Sequence, residues 1–291
     1  AERGWIMYDW ANSAFAAIIS AIILPNFYST LTKGIPAAGP WWGYATSIAT
    51  FICAILAPFF GTLGDYRGYK KKLFTVFALL GIIATAALSF TANWKVMLLL
   101  YILGTIGFNA SCVFYDGFLH DVTTEDRMDA VSTYGYGLGY IGGSTIPLLM
   151  GMALILFGES FGVPADLACQ ISFMITAVWW LVFTIPMWKN VHQVHSVDPE
   201  GNILQQTLRR MGSVLKRIRR SKGLVFFLLA YFFYIDGVGT IISMATNYGS
   251  TLGLGTIGMV LALLLMLSMA SGALAGIPDK PKSPKQLYYS E

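Results

Sequence analysis

The sequence predicts an all-α polytopic membrane protein, and three observations carry that prediction. Hydrophobic residues make up 56% of the 291 residues and charged residues only 12%, about half of the roughly 25% usual in soluble domains. The apolar residues arrive in blocks of about twenty, the length at which a helix crosses a hydrocarbon core of roughly 30 Å. The two-residue alternation of membrane β-barrel strands is absent.

Eight blocks read as spans, at 5–31, 40–63, 72–91, 95–118, 131–157, 168–188, 224–248 and 256–276. Basic residues in most of the loops between them set the sides. Lys33 follows span one, the run GTLGDYRGYKKK (61–72) joins spans two and three, Lys95 precedes span four, Arg127 follows it, and Lys189 closes span six. Alternating the loops leaves Lys33 and Lys95 on one face. Arg3, Arg67, Lys70 to Lys72, Arg127, Lys189, the run 209–222 and the tail lysines Lys280, Lys282 and Lys285 fall on the other. Seventeen of the nineteen basic residues therefore share a face, which predicts both termini in the cytoplasm. The net charge of +4 comes from these loops and speaks of orientation rather than of nucleic acid. No cleavable signal peptide precedes span one, and a start at Ala1 reads as trimmed. Cys53, Cys112 and Cys169 all fall inside apolar blocks and read as packing residues, with neither a disulfide framework nor a metal cluster implied.

The longest polar interval divides the chain into a six-helix half (1–190), a linker (191–223) and a partial second half of two helices and a tail (224–291). Within the linker, Asp198 and Pro199 are a plausible helix start. Leu204, Leu208, Met211, Leu215 and Ile218 then repeat at four-three spacing beside Arg209, Arg210, Lys216, Arg217, Arg219 and Arg220. That pattern fits a basic amphipathic helix lying on the inner leaflet, and also a solvated charged linker. Spans one and seven look like weak copies: YDWANSAFAAIIS aligns with YIDGVGTIISMA, placing Asp9 and Asp236 in matching positions. Many transporters are built from such repeats, with a site where they meet.

In the loop after span two, Gly61 and Gly64 permit close helix approach and Gly68 a tight turn. Asp65 can cap the next helix or pair with Arg67, while Lys70, Lys71 and Lys72 hold the loop in the cytoplasm. At this place in the topology the pattern resembles the signature loop of the major facilitator superfamily. The stretches WIMYDWANSAF (5–15), FYDGFLHDV (114–122), STYGYGLGYIGG (132–143) and LLAYFFYIDGVGTIISMA (228–245) narrow the resemblance. They are similar to its "unknown major facilitator" branch, related to the fungal vacuolar amino-acid effluxer of autophagy. The resemblance implies a major facilitator fold of twelve helices in two halves, alternating access, and export of small solutes, amino acids being the characterised case. Two departures stand out: His120 replaces an expected proline, and about eight helices of the twelve are present. The closing GIPDKPKSPKQLYYSE resembles a second signature loop that keeps Asp279 and Lys280 but is interrupted by Pro278, Pro281 and Pro284. The expectation is a C-terminally truncated transporter, inactive alone.

A carboxylate at the bilayer centre costs about 2.5–3.5 kcal/mol, so such groups face an interior cavity, are paired, or serve a mechanism. Asp236 lies deepest. Asp9 with Asn12 and Ser13, and Asp116 beside Tyr115, lie nearer the ends of their spans, and Asn109, Asn247 and Tyr248 are further candidates to line a cavity. The candidate substrate or proton site is thus Asp236, Asp9, Asn12, Asp116, Tyr115 and Asn247, each with interhelical hydrogen bonding as the alternative role. Gly137, Gly139 and Gly142 spell GxGxxG, but no strand precedes them, and they read as small residues for helix packing in span five. His192 and His195 lack a third ligand, so no metal is implied, and neither is a cofactor. A membrane-embedded enzyme would have to use Asp116, His120 and Asp121, the one candidate cluster; a nonfunctional fragment is the other alternative. The reading reached is a secondary active transporter of small polar solutes. Its partners are the solute, a coupling proton and membrane lipid, in the plasma membrane of a bacterium or the vacuolar membrane of a fungus.

Overall fold

The computed structural model describes residues 1–198, 203–253 and 258, with the backbone alone at 204, 238–239, 241–243, 245–247 and 249–251. Among the described residues the regular elements are helical, apart from an isolated parallel bridge between Tyr66 and Val197. Six helices are long and apolar enough to cross a membrane: Glu2–Leu31, Gly39–Gly64, Tyr69–Leu88, Trp94–Gly117, Glu125–Phe161 and Ala165–Asn190. They are spans one to six. A linker helix, Ile203–Arg220, and a seventh span, Lys222–Thr251, follow. The expected span at 256–276, residue 258 apart, and the tail with Asp279 and Lys280 lie outside the described residues.

Several helices outrun their apolar blocks. Span five opens at Glu125 rather than 131, and span three at Tyr69 rather than 72. Hydropathy marks where lipid begins, whereas backbone hydrogen bonding carries the helix on into water with polar side chains such as Glu125 and Asp126 outside. Local chemistry sets other ends. Proline stands in the first turn of span two, where its missing N–H leaves nothing unsatisfied. The Asn93 side chain accepts from the Lys95 amide (3.0 Å) and caps span four.

Span one is the central helix. In its most apolar stretch 67% is buried within the protein, against 11% in span two, most of whose side chains face outward. Spans five and six wrap span one, and span four packs between spans two and three. Phe15 of span one stacks on Phe108 of span four (5.1 Å) and tilts against Trp180 of span six (5.4 Å). At the opposite end from the 61–72 loop, the Tyr28 hydroxyl donates to the Ala38 carbonyl (2.6 Å), and its ring joins Trp42 and Tyr101 in an aromatic stack.

Spans three and four touch backbone to backbone where Gly107 meets Gly81: a Cβ at 107 would run into the backbone of Gly81 and lie 2.8 Å from the Phe77 carbonyl oxygen. Neither obstacle is a flexible side chain. Gly107→Ala should therefore destabilise the bundle by about 1–3 kcal/mol, the usual range for overpacking, and a thermal unfolding midpoint in detergent equal to wild type would contradict this.

Spans one and five each contain a π-helical segment, Phe15–Ile22 and Gly139–Thr145, and the two lie against each other. Such segments re-aim the residues beside them and occur often at functional sites. Span seven packs on the second part of span one. It runs as α-helix straight through Gly237 and Gly239.

Candidate functional site

The motif WIMYDWANSAF works through its helical spacing. Trp5, Tyr8, Asn12 and Phe15 recur at three- and four-residue steps and face span four. The Trp5 indole N–H donates to the Tyr115 carbonyl (2.8 Å) and its ring stacks on Tyr115 (4.2 Å). The Tyr8 hydroxyl donates to Ser111 Oγ (2.6 Å), and the Asn12 amide approaches Cys112 Sγ (3.8 Å). Asn12 and the Tyr115 side chain are buried. Both expected site residues therefore build a wall and do not line an open surface.

One residue further round, Asp9 and Ser13 face span five. Gly139 makes room for them: a Cβ there would sit 2.8 Å from Asp9 Oδ2 and 3.0 Å from Ser13 Oγ. Trp10 lies flat over Gly142 and accepts, at its carbonyl, the Trp179 indole N–H (3.1 Å). The GxGxxG glycines are packing residues, as the missing strand implies. Asp9 is half-buried and Asp116 exposed, and their charges lie within electrostatic range of each other and of Tyr136. Asp9 also acts on Tyr140. Spans one, four and five thus gather two carboxylates and two phenols at one face. Tyr136 and Tyr140 are the members that sequence reasoning missed. Their signal was STYGYGLGY, where bulky phenols alternate with glycines that hold the helix close.

Asp236 stands exposed midway along span seven, without a hydrogen bond or ion pair to another described residue. Asn247 lies in the last turns of that span, its side chain outside the described residues.

A second constellation occupies the end of the bundle that carries the 61–72 loop. Gly68 adopts φ +77°, the left-handed turn that lets span three begin. Around it, the segment after span six is strapped to the loop. The Arg67 amide donates to the Val197 carbonyl (3.2 Å), and the Val197 amide to the Asp65 carbonyl (2.9 Å). Gln193 accepts from the Gly68 amide (3.0 Å) and donates to the carbonyls of Gly64 (3.0 Å) and Tyr66 (3.2 Å). Lys70 reaches Asp121 Oδ2 (2.8 Å) and the Gly117 carbonyl (3.0 Å), while Lys71 donates to the Val191 carbonyl (2.8 Å). Asp121 Oδ1 receives the amides of His195 (2.7 Å) and Val194 (3.1 Å).

Two expectations for the loop need correction. Asp65 neither caps span three nor pairs with Arg67; its backbone carbonyl holds Val197 while its carboxylate stands exposed, and Arg67 lies instead 3.9 Å from Asp198. Gly61 meets open space where close approach was expected, and Gly64 alone packs, a Cβ there lying 3.1 Å from the Phe114 ring. Beyond the topogenic role expected of them, Lys70 and Lys71 also bind protein groups.

A cleft of about 650 Å³ opens beside the loop, bordered by Gly61, Lys70, Phe114, His120, Glu125 and His195. The trio an enzyme would need is divided. Asp121 is engaged by Lys70 and the linker, Asp116 faces Asp9 and Tyr136, and His120 is exposed on the cleft rim.

A family model described as "Vacuole effluxer Atg22 like" matches residues 41–277. The MFS-type transporter YxiO of Bacillus subtilis is 46% identical over 278 residues, covering 93% of this chain and 65% of that protein. Autophagy-related protein 22-1 of Penicillium rubens is 23% identical over 284 residues (72% of this chain, 47% of the relative), and autophagy-related protein 22 of Coccidioides immitis 23% over 296 (79% and 48%). The chain spans about two thirds of the bacterial relative's length and about half of the fungal ones. No solved structure matches it.

Proposed function

The chain belongs to the vacuole effluxer Atg22-like family, a branch of the major facilitator transporters, and from that premise we propose that it is a secondary active transporter exporting small polar solutes, amino acids foremost, by alternating access. The observation that carries the reading is the face where Asp9 and Asp116 lie within electrostatic range of each other and of Tyr136, with Tyr140 in range of Asp9. Two neighbouring carboxylates favour a cation between them, and phenols supply directional hydrogen bonds. A solute ammonium fits that pair, and a proton can replace it when the site empties. A second half closing over this face completes the cavity and lets the two halves rock about it. Counterflow in proteoliposomes holding the transporter with both halves complete, against a panel of labelled amino acids, tests the reading. Exchange is expected for amino acids and not for sugars, and a panel no better than empty vesicles overturns it.

The basic face belongs in the cytoplasm, with both termini. Ala37 and Val194 lie at opposite ends of the bundle, and both are exposed. Single cysteines there should react with an impermeant reagent from opposite sides of sealed cells, Ala37 from outside. Labelling of Val194 from outside would reverse the orientation.

A further inference from the structure

The linker helix has two faces that the transport reading leaves unused. Leu208, Met211, Val214, Leu215 and Ile218 follow one another at steps of three and one, so they form one stripe. Leu208 is 50% exposed and Val214 and Leu215 each 53%, with no described element covering them. Arg209, Lys216 and Arg220 occupy the opposite side, and Arg217 and Arg219 border the stripe on its two edges. The helix ends at Arg220, two residues before span seven begins at Lys222, which fixes its C-terminal end at the membrane surface. An apolar stripe edged by arginines at that depth is complementary to headgroups and upper acyl chains, and the excess of positive charge selects anionic headgroups.

The first turns of the same helix are seated on the 61–72 loop. The Tyr66 hydroxyl donates to Gln206 Oε1 (3.2 Å), the Arg210 guanidinium lies over the Tyr66 ring (5.5 Å), and Thr207 is fully buried. Tyr66 is itself fully buried, and its backbone forms the bridge to Val197. A shift of the helix toward or away from lipid is therefore transmitted to the loop through one side chain.

We propose that the linker helix is an anionic-lipid-binding element: its Leu208–Leu215 stripe lies in the leaflet on the loop side, and its grip on Tyr66 makes the loop's mobility depend on the lipid headgroup charge. The readout needed is lipid burial, which does not depend on any transport activity. A bimane label on a single cysteine at Leu215, in the full chain with Cys53, Cys112 and Cys169 replaced, is read in vesicles containing nitroxide-labelled lipid. Vesicles of phosphatidylcholine alone are compared with an equal mixture with phosphatidylglycerol. Quenching is expected in the mixed vesicles, weakened by high salt and by about fivefold in partitioning for each arginine removed as Arg217→Gln or Arg219→Gln. Tyr66→Ala should leave that quenching intact while abolishing the lipid dependence of thiol labelling at a cysteine placed at Val194. Equal quenching in both vesicle types would overturn the anionic selectivity. Quenching in neither would assign the stripe to water or another protein, and overturn the proposal.

Discussion

Asp121→Ala should cost about 3–5 kcal/mol of stability, the penalty for leaving a buried partner unpaired. The Asp121 side chain is fully buried and the side chain of Lys70, 2.8 Å away, is only 9% exposed. Alanine would strand the ammonium together with two linker amides. Burial alone pushes the Asp121 carboxyl up, but the His195 amide, the Lys70 ammonium and the Val194 amide together hold it below the usual carboxylate range. Because its folded value is depressed, the group binds fewer protons folded than unfolded. Its contribution is complete above the unfolded value of about 3.9 and is lost as pH falls through the folded one. Thermal unfolding in detergent should therefore show the full deficit of the alanine variant at neutral pH, narrowing only in strong acid. Asp121→Leu combined with Lys70→Met should cost less than either single change, since the pair's own desolvation penalty disappears with it. A deficit below about 1 kcal/mol would rank the contact with exposed pairs such as Arg67 and Asp198, whose side chains are 77% and 79% exposed.

The same residue shows where reading a sequence reaches its limit. The spans were legible because lipid imposes a length and an apolar composition on each of them, whatever the partners. The turn at Gly68 was legible because a tight turn needs φ > 0. Asp121 was not, since its role depends on residues 191–198 folding back to give it two amides, and no periodicity in that segment announces the contact. Asp65 misled for the opposite reason. Its position before a helix looked like a cap, but a backbone bridge to Val197 satisfied the turn and left the carboxylate outside. At the Asp9 face, the carboxylates declared themselves by their expense in an apolar helix, whereas Asn12 and Tyr115 looked equally polar and turned out to be buried against neighbouring spans. Helical spacing could have separated them: positions 5, 8, 12 and 15 form one face and 9 and 13 the next.

The largest functional effect should come from Asp9→Asn. Asparagine keeps the volume that Gly139 accommodates, so insertion and folding should be preserved, whereas Asp9→Glu pushes one more methylene toward Gly139, where even an added Cβ would lie only 2.8 Å from Asp9 Oδ2. What asparagine removes is the charge. A charge-assisted hydrogen bond contributes about 1.5–3 kcal/mol, so solute affinity should fall roughly ten- to a hundredfold, with Asp116→Asn producing a smaller loss because that side chain is exposed. The Asp236 hypothesis can be measured beside it. Asp236 stands at the position matching Asp9 in the weak repeat and is exposed. Asp236→Asn should therefore leave the unfolding midpoint unchanged and flatten the pH dependence of transport, with Asp236→Glu retaining part of it. Transport against pH in proteoliposomes holding the complete two-half transporter separates the two carboxylates: a loss of affinity at every pH marks the residue that holds the solute, and a loss of the pH response alone marks the one that exchanges the proton. A variant whose curve superimposes on wild type removes its residue from the mechanism.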